Sequence, residues 1–388
     1  MRIAITSRGM ARLRQGHLWV FFSDVKKLTG SPERPALVTA VSKGGELIGQ
    51  GLYNPASKIA FRLLTTREAP VDEAFFSDRV GAAVAHRARV VHGFEAYRVV
   101  HGEADGLPGL TVDRYGENLV VQLHAAALEP FLPVVLERLR EAYRPQGILG
   151  RNDSPVRALE GLERRIDRYH GEVPERIFYR EGAVTLLASP YTGQKTGAFL
   201  DQRENHVLAG TLARGRALDV FSYQGGFALQ LARRADSVLA VDSSEAALGA
   251  TLAGAARGGL GNVTARQGNA FEVLRELADA GERFDVIVLD PPAFAKSRSH
   301  VPKALAAYKE INLRALKALH PGGRLLSASC SYHVGDEAFY TMLADAAADA
   351  SRRLRVLARR GQASCHPEIL GVPESRYLKL AVLEVTDA

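Results

Sequence analysis

The stretch Arg216 to Phe227, Arg-Ala-Leu-Asp-Val-Phe-Ser-Tyr-Gln-Gly-Gly-Phe, constrains the fold more than any other. Leu218, Val220 and Phe221 form a short apolar run of the kind a buried parallel strand needs. Gly225 and Gly226 break that run into a turn where backbone N–H groups can approach a ligand with no Cβ in the way, and a helix succeeds it. The spacing is not G-x-G-x-x-G, so a pyrophosphate-binding dinucleotide site is poorly supported. A plain left-handed turn accounts for the two glycines equally well.

The next three strands tip that balance. Ser237 to Val241 reads as a second strand ending in Asp242, seventeen positions after Gly225, where a ribose-binding fold places the carboxylate that accepts from both sugar hydroxyls. Asn262 to Gln267 is a third strand running into Gly268-Asn269-Ala270-Phe271, a side-chain amide and an aromatic face suited to an adenine. Phe284 to Leu289 is a fourth, ending in Asp290-Pro291-Pro292. Open α/β sheets bind ligands at the carboxyl ends of their strands, and all four switches put polar groups there.

An acid after the first strand (Asp219), an acid after the second, an Asn after the third and Asp-Pro-Pro after the fourth make the layout of class I methyltransferases. The combination resembles the RlmI-type family of bacterial 23S ribosomal RNA methyltransferases, which form 5-methylcytosine. The matching pieces are Lys195-Thr-Gly-Ala-Phe-Leu-Asp-Gln-Arg203, Asp219 to Phe227, Leu289-Asp-Pro-Pro-Ala-Phe-Ala-Lys296 and Ser329-Cys330-Ser331, and the resemblance spans nearly the whole chain. It implies S-adenosylmethionine as cofactor. The residues it assigns to that cofactor are Lys195, Phe199, Asp201, Gln202, Arg203, Asp219, Phe221, Ser222, Tyr223, Gly225, Gly226, Asp242, Ser243, Asn269, Ala270, Phe271 and Asp290.

Length and composition agree with this reading. A chain of 388 residues with 46% hydrophobic residues is long for one domain and can fill real cores. No run of about 18 apolar residues exists to span a bilayer and no signal-like leader opens the sequence, so no membrane partner and a cytoplasmic location are expected. Two cysteines argue against a disulfide framework, and no His/Cys/carboxylate spacing suggests a metal. The net charge of +7 is concentrated: residues 1 to 70 hold 11 Lys or Arg against 4 Asp or Glu, and the remainder is neutral. A polyanion suits such a segment, because neutralised phosphates release counterions; a merely solvated face is the plainer alternative.

Taken in order, Ile3 to Ile5 reads as a strand, followed by Arg8, Arg12, Arg14, His17 and Trp19 on a turn or short helix, with Lys26 beyond. Guanidinium groups there can hold phosphates while Trp19 or Phe22 stacks on a base, although burial is the commoner fate of a lone Trp. Leu37 to Val41, Leu47 to Tyr53 and Ile59 to Leu64 are short strands at small-barrel spacing. In the resembled family this region is a PUA domain, and Gly16-His17 and Trp19 match its opening motif. Three parts are expected: a PUA-like RNA-binding β-barrel over 1–70, an α+β middle domain over 71–184 and a Rossmann-like methyltransferase domain over 185–388. In the middle part Val71 to Val91 and Leu128 to Tyr143 read as helices, and loops continue to Arg180.

In the third part Asp201 reads as the N-cap of a helix through Leu212, with Glu204 completing a capping box. That helix start, with Gln202 and Arg203, offers donors to an anion, by resemblance the methionine carboxylate. Lys296 and Arg298 belong to a basic segment, Ala293 to His320, that can act as a lip for an RNA backbone or simply be a solvated helix face. Leu354 to Ala358 and Leu378 to Val385 form a closing antiparallel hairpin, which predicts a seven-stranded sheet.

The reaction type turns on Cys330. Cytosine C5 is too weak a nucleophile to attack a sulfonium methyl, so a thiolate must first add at C6. Asp290, at the end of the neighbouring strand, can bond the base edge and stabilise the resulting charge. From position alone a buried structural thiol is the better reading; the family's Ser-Cys-Ser motif at this strand end reverses it. The nearest rivals are methylation of an exocyclic amine such as guanine N2, and an RNA-binding protein without catalysis. Where the family carries Asp-His-Pro this chain has Cys365-His366-Pro367, and adjacent residues of an extended segment would point apart, making Cys365 a bystander. Ribosomal RNA is the expected partner, with the choice between monomer and homodimer open.

Overall fold

The computed structural model describes residues 1–28, 30–295 and 297–386. They form two compact units: Met1–Ile177 with Ser189–Gly197 and Ser364–Ser375, and Phe178–Ala188 with Ala198–Ala363 and Arg376–Ala388.

The first unit holds two sheets. Six strands in the order Trp19–Val20, Phe61–Thr65, Leu47–Tyr53, Ala36–Val41, Arg2–Ile5, Val25–Lys27 close around Ile3, Ile5, Val20, Val38, Tyr53 and Phe61. The period-2 pattern of the short strands delivers that apolar face. The second sheet has five strands, Arg165–Gly171, Gly147–Asn152, Asn118–Leu123, Leu110–Tyr115 and Ala96–His101, backed by helices Glu73–Val90 and Leu132–Tyr143. The stretch from Asp153 to Arg180 is therefore not continuous loop. Gly147–Asn152 is wholly buried, whereas Arg165–Gly171 is an edge strand with little apolar alternation to reveal it. The Leu128–Tyr143 helix begins only at Leu132, because Ala126–Phe131 is a 3₁₀ turn containing Pro130. Glu160 ties the two sheets within this unit: it accepts from Asn54 at 2.9 Å and Arg62 at 2.7 Å, and from Ser57, all of them buried.

The second unit is built on a seven-stranded sheet. The strands of that sheet and the helices before and between them are α1 (Arg203–Leu212), β1 (Arg216–Val220), α2 (Gly226–Ala232), β2 (Ser237–Asp242), α3 (Glu245–Arg257), β3 (Val263–Gln267), α4 (Ala270–Asp279), β4 (Phe284–Leu289), α5 (Val301–Lys317), β5 (Leu319–Ser329), α6 (Asp336–Asp349), β6 (Arg353–Arg360) and β7 (Lys379–Thr386). The strand order is β3-β2-β1-β4-β5-β7-β6, with β7 antiparallel to both neighbours and the rest parallel. β1 and β4 are buried on both faces, as their near-continuous apolar runs require. The order reverses between β1 and β4, so their carboxyl ends open the crevice where such sheets bind ligands. This is the expected class I methyltransferase fold, including the closing hairpin.

Two local expectations fail. Asp201 does not cap α1: the N-cap is Gln202, with no side-chain cap bond, and Asp201 instead accepts from the Tyr377 hydroxyl at 2.7 Å. Asp219 lies inside β1 and not after it.

Candidate functional site

The β1–α2 loop is wound unusually tightly. Phe221 (φ 65°), Tyr223 (φ 46°) and Gly225 (φ 80°) all occupy the left-handed region, which costs non-glycine residues free energy and persists only where surrounding bonds over-determine it. Those bonds are present. The Ser222 N–H donates to Val241 O at 3.0 Å, the Tyr223 N–H to Asp242 Oδ2 at 2.9 Å, and Thr251 Oγ1 to Tyr223 O at 3.0 Å. The glycines also serve packing: a Cβ on Gly225 would sit 2.6 Å from Thr251, and one on Gly226 2.3 Å from the His206 ring.

Asp242 is half-buried at the end of β2, its Oδ1 accepting from the Ser244 N–H at 2.9 Å. Each oxygen thus carries one backbone N–H and keeps a lone pair for a further donor. Ser243 is exposed beside it. Asn269 caps α4 by accepting from Phe271 N at 2.9 Å, and Ala270 is buried. The half-buried Phe271 ring lies 6.0 Å from Phe294, which in turn meets Phe221 at 6.5 Å and Tyr308 at 4.7 Å.

Asp219 is fully buried, with Oδ2 accepting from Ala228 N at 2.9 Å. Burial pushes its pKa up to about 7, against the opposing pull of Ser222, His206 and the Ala228 N–H. Its Oδ1 and the Ser222 hydroxyl are buried outside hydrogen-bonding geometry. His206 Nδ1 lies 2.7 Å from Glu181 Oε1, and the ring packs edge-on against Phe227. Burial lowers the His206 pKa, but the Glu181 charge and hydrogen bond, with Asp290 and Asp219, outweigh it and the net shift is upward.

At the start of α1, Gln202 Nε2 donates to Asp290 Oδ1 at 2.9 Å, and Asn205 Nδ2 donates to Gln202 Oε1 at 2.6 Å. Arg203 is fully buried with an ion pair to Glu204 at 3.1 Å, and Phe199 meets Tyr223 edge-on at 5.1 Å. The cofactor residues expected from sequence thus gather at one end of the second unit's sheet, except Lys195, which sits at φ 53° on the Ser189–Gly197 segment of the first unit.

Cys330 comes directly after β5, half-buried, with Sγ donating to Pro291 O at 3.8 Å. The flanking serines are locked: Tyr308 Oη lies 3.0 Å from both Ser329 Oγ and Ser331 Oγ, Ala295 N donates to Ser331 Oγ at 3.2 Å, and Lys379 Nζ donates to Ser331 O at 2.9 Å. Sequence reasoning missed Tyr308 and Lys379. The signal for Lys379 was a lone cation inside the otherwise apolar run Leu378 to Leu383. Cys365 lies in the first unit, buried in a turn and not an extended segment, so its Sγ does meet His366 Nδ1, at 3.2 Å.

Of the expected RNA contacts, Arg14, Lys26 and Arg298 are exposed, and Lys296 lies outside the described residues. Arg8 is exposed but ion-paired with Asp24 at 2.7 Å. Arg12 lies over the Phe21 ring at 4.5 Å, and Trp19 Nε1 donates to Glu103 at 2.9 Å, so the indole is anchored within the protein; Phe22, 60% exposed, is the freer aromatic. No helix among the described residues is long and apolar enough to cross a membrane.

Residues 3–66 match the PUA-like domain family, and residues 213–364 a methyltransferase domain family. The ribosomal RNA large subunit methyltransferase I of Shewanella amazonensis is 37% identical over 393 residues, 99% of each chain, and that of Tolumonas auensis 38% over 376 residues, 95% of each. A candidate SAM-dependent methyltransferase from Streptococcus mutans shares the fold at TM-score 0.83 and 18% identity, covering 99% of this chain and 100% of that one. A candidate methyltransferase solved with SAH matches equally well, with the same TM-score, identity and coverage. With relatives this similar along nearly its whole length, the chain belongs to the ribosomal RNA large subunit methyltransferase I family.

Proposed function

We propose that the chain is an S-adenosylmethionine-dependent methyltransferase of large-subunit ribosomal RNA, and that its product is 5-methylcytosine formed through a covalent Cys330–C6 adduct. The observation that carries the covalent adduct is the pairing of Cys330, at the end of β5, with Asp290-Pro291-Pro292 at the end of adjacent β4, the thiol 3.8 Å from Pro291 O.

The residues present fit the cofactor. Asp242 keeps lone-pair capacity for a ribose, Phe271 presents a half-buried aromatic face, and the buried Asp219 Oδ1 and Ser222 hydroxyl leave polar capacity beneath the loop. Gln202, fixed by Asn205 and Asp290, stands at the start of α1. When bound, S-adenosylmethionine supplies an electrophilic methyl group, which C5 accepts. The chain's own residues do the rest. Cys330 adds to C6 as thiolate, which raises electron density at C5. Asp290, oriented by Gln202, bonds the base edge. The C5 proton then leaves to a base, and the thiolate is expelled as the double bond reforms. The target nucleotide must leave any stack to reach the sulfur, so it is single-stranded or flipped. An enzyme of this kind works in the cytoplasm, and the chain's folding borders are proposed near residues 70 and 184.

The test uses RNA containing 5-fluorocytosine, whose fluorine cannot leave as the C5 proton does. Wild type should be trapped as a covalent adduct, and Cys330→Ala should form none while still binding S-adenosylmethionine. Full methylation by Cys330→Ala would reject the adduct in favour of an amine acceptor, which carries its own lone pair. An adduct lost only in Cys365→Ala would move the nucleophile to the other cysteine.

A further inference from the structure

Lys379 is a lysine where lysines are rarely found. It opens β7 opposite Ser329 in the antiparallel register, is 6% exposed, and lies in no ion pair among the described residues. Its ammonium donates to two backbone carbonyls, Ser331 at 2.9 Å and Tyr377 at 3.1 Å. The first of these belongs to the residue right after Cys330, so the cation is fixed beside the strand end that carries the thiol. Burying an ammonium against neutral carbonyls alone costs free energy that a Met or Leu would not, which calls for a compensating anion.

The groups facing it are few. Asp336, the carboxylate whose charge reaches it, is shared with Arg376 at 2.5 Å. The Cys330 sulfur, on the residue before the carbonyl that holds the ammonium, is the further anion the reaction itself requires. We propose that Lys379 is a positioning residue whose positive charge, fixed by the Ser331 and Tyr377 carbonyls, holds Cys330 as the nucleophilic thiolate. The thiol proton goes to solvent, and the ammonium remains as counter-charge through addition and expulsion. Burial pulls the Lys379 pKa down to about 8, while Asp336 and the Cys330 sulfur hold it up and Arg376 lowers it. At neutral pH the side chain therefore remains largely cationic.

The assignment rests on Cys330 being the nucleophile, but its test does not require methyl transfer. Alkylation of Cys330 by iodoacetamide, followed across pH by peptide mass spectrometry on the full chain, reads the thiolate directly. The wild-type midpoint should fall below the ~8.5 of an ordinary cysteine. In Lys379→Met it should rise by roughly one pH unit, slowing alkylation at neutral pH roughly tenfold, while Lys379→Arg, which keeps the charge, stays near wild type. Methyl transfer by Lys379→Met should recover as pH is raised, which a purely structural role would not produce. An unchanged midpoint in a Lys379→Met protein that still binds S-adenosylmethionine overturns the proposal. So does a wild-type midpoint at or above ~8.5, whether or not the variant folds. Methylation surviving in Cys330→Ala would instead remove the adduct mechanism and leave the measured charge relation standing.

Discussion

Asp219 and Asp242 carry the same carboxylate into different roles, because one is buried under the β1–α2 loop and the other is half-open at its rim. Asp219 titrates near 7 in the fold against 3.8 as an ordinary carboxyl. Its folded pKa is raised, so its contribution to stability is full below about pH 3.8 and is lost as pH rises through about 7. Asp219→Asn removes that burden: relative to wild type it should gain stability between about pH 5 and pH 8, by on the order of a few kcal/mol, in paired urea titrations. A difference that stays flat with pH would show that the carboxylate is stabilised by groups other than those described. Asp242→Ala should weaken S-adenosylmethionine and S-adenosylhomocysteine by ~2–3 kcal/mol, read by calorimetry, because two hydrogen bonds to a ribose would be lost together, and it should also lower stability, because the Tyr223 and Ser244 N–H groups lose their acceptor. Both carboxylates were visible in the sequence as acids near strand ends. Their difference was not, because burial depends on what α1 and α2 lay over Asp219.

The β1–α2 loop shows the same division between what a pattern reveals and what packing adds. Two glycines after an apolar run announced a turn, yet their necessity lies in the neighbouring helices: Thr251 on α3 and His206 on α1 occupy the space a Cβ would need. Gly226→Ala must displace the imidazole that Glu181 holds at 2.7 Å, and should cost about 1–3 kcal/mol in chemical unfolding. A neutral result would mean that the His206–Glu181 pair is free to move. The strands of the second unit were legible because parallel strands buried on both faces read as continuous apolar runs, as in Val286 to Leu289. Arg165–Gly171 was not, since an edge strand with charges on both faces lacks period-2 contrast. The capping box at Asp201 failed for a different reason: the motif was present, but Tyr377 claims the carboxylate, a partner 176 residues away that no local pattern can reveal.

At the level of the whole chain, the basic surplus of residues 1 to 70 is not uniformly available. Arg62 is buried against Glu160 and Arg8 is paired with Asp24, while Arg2, Arg14, Lys26, Lys27, Arg34, Lys43, Lys58 and Arg67 are exposed. Removing the segment would also strip Asn54, Ser57 and Arg62 from Glu160 and Trp19 from Glu103, leaving a buried carboxylate unpaired. Truncation therefore confounds charge with folding, and exposed single charges are the cleaner probe. Among the described residues Arg14 and Lys26 touch no buried partner, so in Arg14→Glu and Lys26→Glu the melting temperature and S-adenosylmethionine affinity should stay at wild-type values. If this face binds the RNA backbone, each substitution should weaken binding uniformly across RNA sequences. Each should also reduce the slope of log affinity against log salt by about one, in titrations at several salt concentrations. Arg8→Glu should do less, because Asp24 already neutralises that guanidinium. Unaltered slopes in the Arg14 and Lys26 variants would assign the positive surplus to solubility and move the RNA backbone to another face, with Arg298 and the exposed basic residues of α5 next in line.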